Sequence, residues 1–270
     1  MVTISEATIP QAAIPQAAIP RATIPQVPIP PAVLLQAWER GCDASPGARG
    51  LILLAIARPD VALSELADWP VGQRDAALLG LFERLFGDEL AAQAECPRCG
   101  GELEMNVPVS TIRVEAPVLA TNAFVLDHAG HRVSYRLPTA GDLAALGDAA
   151  LDDADTDTRS DWLARQCLVE SDDGEVSGDV LQALKGAIAT TSAAVDPLAE
   201  VELQLDCPTC ALIWQSPFDV VSFLWSELDA WARRMLREIH ILASHYGWSE
   251  AEIVALSPQR RRHYRELIGQ

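Results

Sequence analysis

Two Cys-Pro-x-Cys pairs, CPRC at 96–99 and CPTC at 207–210, place the strongest constraint on what this chain can fold into. Each pair can bind a metal ion through two sulfur atoms on one tight turn, which fills half of the tetrahedral shell that Zn²⁺ prefers. The 107 residues numbered 100 to 206 separate the pairs. If both pairs bind the same ion, this segment must return to the point where it started.

Strand-like sequence follows the first pair and flanks the second, as in the two knuckles of a zinc ribbon. We predict that one structural Zn²⁺ is bound by Cys96, Cys99, Cys207 and Cys210. Ordinary ribbons separate their pairs by about 15 to 20 residues, so this ribbon is split by a large insertion. Four sulfur ligands leave no open coordination position, which is the pattern of a structural rather than a catalytic site.

The alternative is that the two pairs are independent and redox-active. Such cysteines need a lowered thiol pKa, and the charges of Glu95 and Asp206, directly before the pairs, disfavour the thiolate. The other two cysteines, Cys42 and Cys167, stand alone on helix-like segments and are predicted to be small buried groups.

The two knuckles differ at the residue after the second cysteine. Gly100 can adopt the left-handed conformation that such turns often need. Ala211 stands at the equivalent position. If it adopts the same conformation, the cost is about 1 kcal/mol.

An Ile-Pro dipeptide recurs every five residues in the segment 7–31, beginning at 9, 14, 19, 24 and 29. Each proline removes a backbone donor and disfavours helical geometry in the residue before it. Residues 1–31 are therefore predicted to be an extended or disordered tail. Two roles remain open: a flexible tail, or a peptide that lays its isoleucines along a partner's groove.

The rest of the chain predicts an α+β fold that is mainly α-helical. The fold has a zinc-ribbon-like β unit, a large insertion between its two CxxC knuckles, and a C-terminal helical module. The predicted regions are an N-terminal helical region 32–95 that leads directly to the first cysteine, the split ribbon 96–106 and 201–216, an inserted α/β subdomain 107–200, and the module 217–270.

The C-terminal module begins with an apolar stripe at helical spacing, formed by Leu228, Ala232, Met235, Ile239, Leu242 and Tyr246. Gly247 ends this long helix. Ser249 and Glu252 form a capping box for a short helix, and Ser257-Pro258 begins a last helix rich in arginine.

The formal net charge of −18 argues against a protein that grips nucleic acid. The longest apolar runs are too short to cross a bilayer, and the N-terminus lacks the basic start and apolar block of a secretory signal. We expect a cytoplasmic protein without a membrane partner.

Several stretches together resemble baseplate proteins of phage tails and phage-tail-like contractile injection systems, a group similar to the T-even-type baseplate hub assembly chaperone family. They are WPVGQRDAALL at 69–79, CPRCG at 96–100, RLPTxxDL at 136–143, CPTC at 207–210, and FLWSELDAWARRMLREIHILASHYGWSEAEIVALSPQRRRHY at 223–264. The resemblance runs from about residue 33 to the C-terminus, with the last stretch as its most specific part, and the Ile-Pro tail lies outside it.

The resemblance implies a non-enzymatic assembly factor or minor structural component of a baseplate or hub, acting in the cytoplasm or within an assembled particle. Its partners would be baseplate, hub or tube proteins, with no small-molecule substrate. The implied partner-binding residues are Trp225, Leu228, Trp231, Met235, Tyr246, Trp248 and Tyr264, although an apolar stripe is also what a domain's own core requires.

Two other function classes remain. A zinc-ribbon protein that binds nucleic acid or acts in transcription would bind duplex DNA with a steep salt dependence. A thiol-disulfide enzyme would show turnover that depends on Cys96 or Cys207. No serine-histidine-aspartate grouping, phosphate-binding loop or open metal site supports an enzyme.

Overall fold

A computed structural model describes residues 29–113, 123–149, 151, 154–171, 176 and 178–269. Within these residues the protein is mainly helical, with three small antiparallel sheets. The helices are α1 (Pro31–Gly41), α2 (Pro46–Ala57), α3 (Leu63–Ala67), α4 (Val71–Phe86), α5 (Val109–Ile112), α6 (Ala140–Asp148), α7 (Thr156–Cys167), α8 (Gly178–Val195), α9 (Val220–Tyr246), α10 (Glu250–Ala255) and α11 (Pro258–Ile268). The strands are β1 (Glu89–Glu95), β2 (Glu102–Pro108), β3 (Phe124–His128), β4 (His131–Tyr135), β5 (Leu168–Ser171), β6 (Glu202–Asp206) and β7 (Ile213–Pro217).

The main hydrophobic core joins the N-terminal helices to two β-hairpins. Helices α1 to α4 and the first turns of α9 pack around it, and the hairpins β1–β2 and β6–β7 each contribute one apolar face. Leu90 and Val107, paired across the first hairpin, are buried in this core together with Leu203 and Leu205 of the second. Both hairpins are therefore fixed to the same body.

A second core lies in the segment between the hairpins. It is formed by Val133 and Tyr135 of β4, Cys167 at the end of α7, and Leu181 and Leu184 of α8. The ends of the segment belong instead to the main core, through residues such as Val109 and Leu198. The looped-out lobe thus has its own core, and the predicted boundaries 107 and 200 stand as a proposal.

Two of the motifs quoted above meet in the structure. Val71 donates a backbone hydrogen bond to Pro138, and Ala140 donates one to Trp69. Gly47, in the first turn of α2, packs so closely on α6 that a Cβ atom there would lie 2.0 Å from the carbonyl oxygen of Leu143. The lobe is therefore attached to the N-terminal helices as well as to the hairpins.

The N-terminal region predicted to be helical over 32–95 is helical only as far as Phe86, and its last part is a strand. The chain leaves α4 at Gly87, where φ is +102°, and then forms β1, which pairs with β2 over seven residue pairs. The sequence AAQA within β1 favours a helix by propensity. Pairing with β2 overrides this preference, since burial on a sheet decides such cases.

The predicted tail lies almost wholly outside the described residues, which begin at Ile29. Ile29 is the isoleucine of the fifth Ile-Pro dipeptide, and it packs against the main core immediately before α1. The last dipeptide is therefore part of the folded body. No helix in the described part of the chain is long and apolar enough to span a bilayer.

Candidate functional site

Each Cys-Pro-x-Cys pair occupies the turn of a hairpin. In the first turn, Cys96 donates a backbone hydrogen bond to Gly101 and accepts one from Gly100, both at 2.9 Å. The second turn repeats both bonds at the same lengths, from Cys207 to Leu212 and from the residue after Cys210 back to the carbonyl of Cys207. The two turns therefore have the same backbone design.

The fold brings the two turns together at a cluster of four sulfur atoms. The Sγ atoms of Cys96 and Cys210 are 3.6 Å apart, as are those of Cys99 and Cys207, and all four lie within 4.8 Å of one another. Bonds of about 2.3 Å to a tetrahedral zinc ion give sulfur–sulfur separations of about 3.8 Å. A disulfide requires about 2.05 Å, and all four cysteines are free. The cluster has the size that a Cys₄ zinc site requires.

The cluster is buried on one side, while Cys99 is exposed on the other. Cys96 and Cys207 are each 1% exposed and pack against Leu103, with Met105 and Trp214 beside them. Because four sulfurs occupy a tetrahedron, no coordination position is left for a substrate. What this arrangement can do is join two hairpins whose cysteines are far apart in sequence.

Backbone amides favour the thiolate at one of the four positions. Hydrogen bonds from the backbone at Cys210 and then at Thr209 lower the pKa of Cys207 to about 6. The thiolate is the form that binds metal ions.

The two residues after the knuckles adopt the same left-handed conformation. Gly100 has φ +67° and Ala211 has φ +53°. Since a Cβ atom is disfavoured in this region, we expect Ala211→Gly to stabilise the protein and Gly100→Ala to destabilise it by about 1 kcal/mol each. Urea unfolding of both variants and of the parent measures the two changes in unfolding free energy. If both substitutions stabilised the protein, or both destabilised it, the two turns would not share the same geometry.

Two of the seven implied partner-binding residues lie inside the protein, and the other five are partly buried. Leu228 and Met235 are buried at 1% and 5% exposure in the chain's own core, so a partner has no access to them in this fold. Trp225 is partly buried, lies against Gly41 and is covered by the guanidinium of Arg49 at 4.7 Å. Apolar residues at helical spacing fit an internal core and a docking face equally well, which is why the sequence did not separate them.

The remaining aromatic residues join the C-terminal helices. Trp231 packs between the main core and the C-terminal core. Tyr246 stacks on Trp248 at 4.6 Å, and Tyr264 meets both rings edge-on. These four side chains are partly buried, and contact with a partner at their exposed edges stays a prediction.

Two arginines of the last helix, α11, pair with a glutamate of α9. Arg261 is 3% exposed and donates to Glu238 of α9 at 2.9 Å. Arg265 lies 3.7 Å from the other oxygen of the same carboxylate. α11 is thus docked along α9 by its own arginines, which is not the arrangement of a helix free to enter a DNA groove.

The sequence did not predict that two neighbouring opposite charges in α4 are buried. Arg74 and Asp75, neighbours in WPVGQRD, are about 5% exposed and form an ion pair of 2.7 Å. Burial raises the pKa of Asp75 to about 6 despite Arg74, and Asp219 and Asp196 raise it further. The only signal was a pair of adjacent opposite charges directly before the apolar run of α4.

The prediction that Cys42 is buried is wrong. This residue is exposed, because it follows the last residue of α1 in the turn to α2. Cys167 is buried as predicted, and its burial raises the pKa of its thiol to about 12.

Comparison with known families gives one match. The family described as T4 bacteriophage base plate protein matches residues 56–224, which is more than half of the chain. The chain belongs to this family. The matched range contains both cysteine pairs of this base plate protein and the motifs WPVGQRDAALL and RLPTxxDL.

The match ends at Leu224. The C-terminal stretch 223–264, the most specific part of the resemblance, therefore lies almost wholly outside it. No curated protein and no solved structure matches the chain. Family membership thus rests on the helical body, the hairpins and the lobe between them. It supports a phage baseplate component, and the assembly role is a separate question.

Proposed function

We propose that the chain is a non-enzymatic assembly factor or minor structural component of the baseplate or hub of a phage tail or phage-tail-like contractile injection system. The single observation that carries this proposal is the family match over residues 56–224. The closed cluster of Cys96, Cys99, Cys207 and Cys210 supports it, because a site without an open position serves stability rather than turnover.

We further propose that the cluster binds one structural Zn²⁺ in a split zinc ribbon. The ion would hold the hairpins β1–β2 and β6–β7 at a fixed separation, and with them both ends of the lobe. Such a site contributes on the order of 10 kcal/mol of apparent binding free energy. The functional consequence is a rigid surface that can dock on baseplate, hub or tube proteins in the cytoplasm or in the assembled particle.

The proposal is tested in the native host with a tagged chain and a gene deletion. We expect the tagged chain to co-purify with baseplate, hub or tube proteins after nuclease treatment, and the deletion to leave particles without an attached sheath. Presence of the chain in purified particles at fixed stoichiometry would identify a structural component, and absence from particles an assembly factor. Normal particles from the deletion strain would overturn the proposal.

A nucleic-acid-binding zinc ribbon is the second function class, and no contact among the described residues favours it. The net charge is −18, and the buried Arg261 is already paired with Glu238. Retention on duplex DNA with a steep salt dependence would favour it instead.

A further inference from the structure

Two cavities adjoin at the junction between β7 and α9. One, of about 860 Å³, lies between the hairpin β1–β2 and the first turns of α9. The other, of about 290 Å³, lies between α2, α4, α6 and the same junction. Because Pro217, Phe218 and Asp219 line both cavities, we treat them as one surface feature, the β7–α9 groove.

The β7–α9 groove contains several partly buried apolar side chains among its polar ones. Ala92 pairs with Met105 in the middle of the first hairpin, on the face whose neighbouring pair, Leu90 with Val107, is buried in the core. The small side chain of Ala92 leaves Met105 and Phe223 partly buried beneath the opening. Partly covered apolar side chains of this kind are what a docked peptide covers.

The lining of the groove carries an excess of negative charge. Among the described residues, the larger cavity has three carboxylates and no lysine or arginine, and the smaller adds two carboxylates and two guanidinium groups. The charged residues are Glu104, Asp219, Glu227, Asp75, Glu200, Arg74 and Arg159. Five carboxylates against two arginines leave an excess of three negative charges, and low-dielectric walls concentrate their field.

Asp75 gives the groove a built anchor. Asp75 is 6% exposed and lines the smaller cavity, and its Oδ1 accepts a hydrogen bond from Arg74 Nε. The negative charges of Asp75, Asp196 and Asp219 exceed the positive charge of Arg74 at this point. A further cation would therefore stabilise the buried carboxylate of Asp75.

We propose that the β7–α9 groove binds an extended segment of a partner protein that carries both apolar side chains and lysine or arginine side chains. The apolar side chains cover Met105, Phe218 and Phe223, and one basic side chain reaches Asp75. The charge of the groove selects this occupant over an acidic or purely apolar one. The inference rests on the proposed function only in taking the partner to be another baseplate protein.

The test uses the full chain and a fluorescein-labelled peptide of alternating lysine and valine, with binding followed by fluorescence anisotropy at 150 mM salt. We expect the peptide to bind at least about tenfold more tightly than a lysine–serine peptide or a glutamate–valine peptide, a difference of about 1.4 kcal/mol or more. Equal affinities of the lysine–valine and lysine–serine peptides would overturn the proposal, because the apolar side chains of the groove would then contribute nothing to binding.

A pair of charge-matched variants separates the groove from the general acidity of the chain. Glu104→Lys/Glu227→Lys changes the groove, and Glu39→Lys/Glu170→Lys changes the net charge equally at exposed positions outside its lining. We expect a loss of affinity of at least about tenfold in the first and less than about threefold in the second, given the screening of distant charges at this salt concentration. Equal losses would overturn the proposal.

The remaining occupants are tested on the same protein. A salt-sensitive dimer of the full chain that Glu104→Lys/Glu227→Lys dissolves would overturn the proposal in favour of a second copy. A photo-crosslink from Ile14 or Ile19 to Met105 or Phe223 within one chain would overturn it in favour of residues 1–28. None of these results bears on co-purification with tail proteins, so failure of the groove and failure of the proposed function are distinguishable.

Discussion

Replacing Cys207 by serine is expected to abolish stoichiometric zinc binding and to lower the melting temperature by about 10 °C or more. The substitution removes one of four sulfur ligands whose atoms lie within 4.8 Å of one another. If half of the roughly 10 kcal/mol of a structural zinc site is lost, the melting temperature falls by about 10 to 20 °C, at about 2 to 4 °C per kcal/mol for a domain of this size. Circular dichroism on heating, with zinc measured in the same samples, checks both changes.

Cys42→Ser is the matched control for this experiment. Cys42 is exposed and outside the sulfur cluster, and the chemical change is the same. We expect its zinc content to be unchanged and its melting temperature to lie within about 2 °C of the parent, as for an ordinary surface substitution. An unchanged melting temperature of Cys207→Ser would show that the hairpins hold together without a metal ion.

Replacing Gly47 by alanine is expected to cost about 3 kcal/mol or more of unfolding free energy. An added Cβ atom would lie 2.0 Å from the carbonyl oxygen of Leu143 and 2.7 Å from the backbone nitrogen of Ala144. These are backbone atoms of α6, so relief of the clash requires α2 and α6 to separate. Urea unfolding of the full chain measures the loss.

Gly186→Ala in α8 is the control, since a Cβ atom there has nothing within 4 Å. We expect this substitution to stabilise the protein by about 0.5 to 1 kcal/mol, as for glycine to alanine in an exposed helix. A loss at Gly47 no larger than about 1 kcal/mol would contradict the close approach of α2 and α6, because a clash with backbone atoms should exceed a propensity effect.

Local signals in the sequence were sufficient wherever the structure is decided locally. The stretch VLDHAGHRVSYRLPT predicts a hairpin with Ala129-Gly130 at its turn, and these two residues do form the turn between β3 and β4. The long helix ends at Gly247 with φ +69°, and Ser249 with Glu252 forms the capping box at the start of α10. Each of these features depends on side chains within four residues of the backbone that they satisfy.

The meeting of the two cysteine pairs was also predicted, for a different reason. Each cysteine pair supplies only two of the four ligands of a tetrahedral site. The chemistry therefore indicated that the pairs meet, although more than 100 residues of sequence separate them. Ala211 adopting the conformation of Gly100 is a consequence, since the sulfur positions fix the turn.

Features decided by tertiary packing were missed. β1 is a strand because β2 is available to pair with it, not because its own residues prefer that geometry. For Leu228 and Met235 the sequence allowed both an internal core and a docking face, and the structure places them in the core because α1 and the C-terminal helices cover that side of α9. The burial of the Arg74–Asp75 pair depends on neighbouring elements, and the only sign of it in the motif was two adjacent opposite charges.

The most direct measurement of the central claim is zinc K-edge X-ray absorption on the full chain as purified from its host, with the metal quantified in the same sample. The claim is that two distant hairpins share one ion through Cys96, Cys99, Cys207 and Cys210. We predict one zinc per chain with four sulfur neighbours at about 2.3 Å. A metal-free chain, a shell containing nitrogen or oxygen, or disulfides within each pair would contradict the claim.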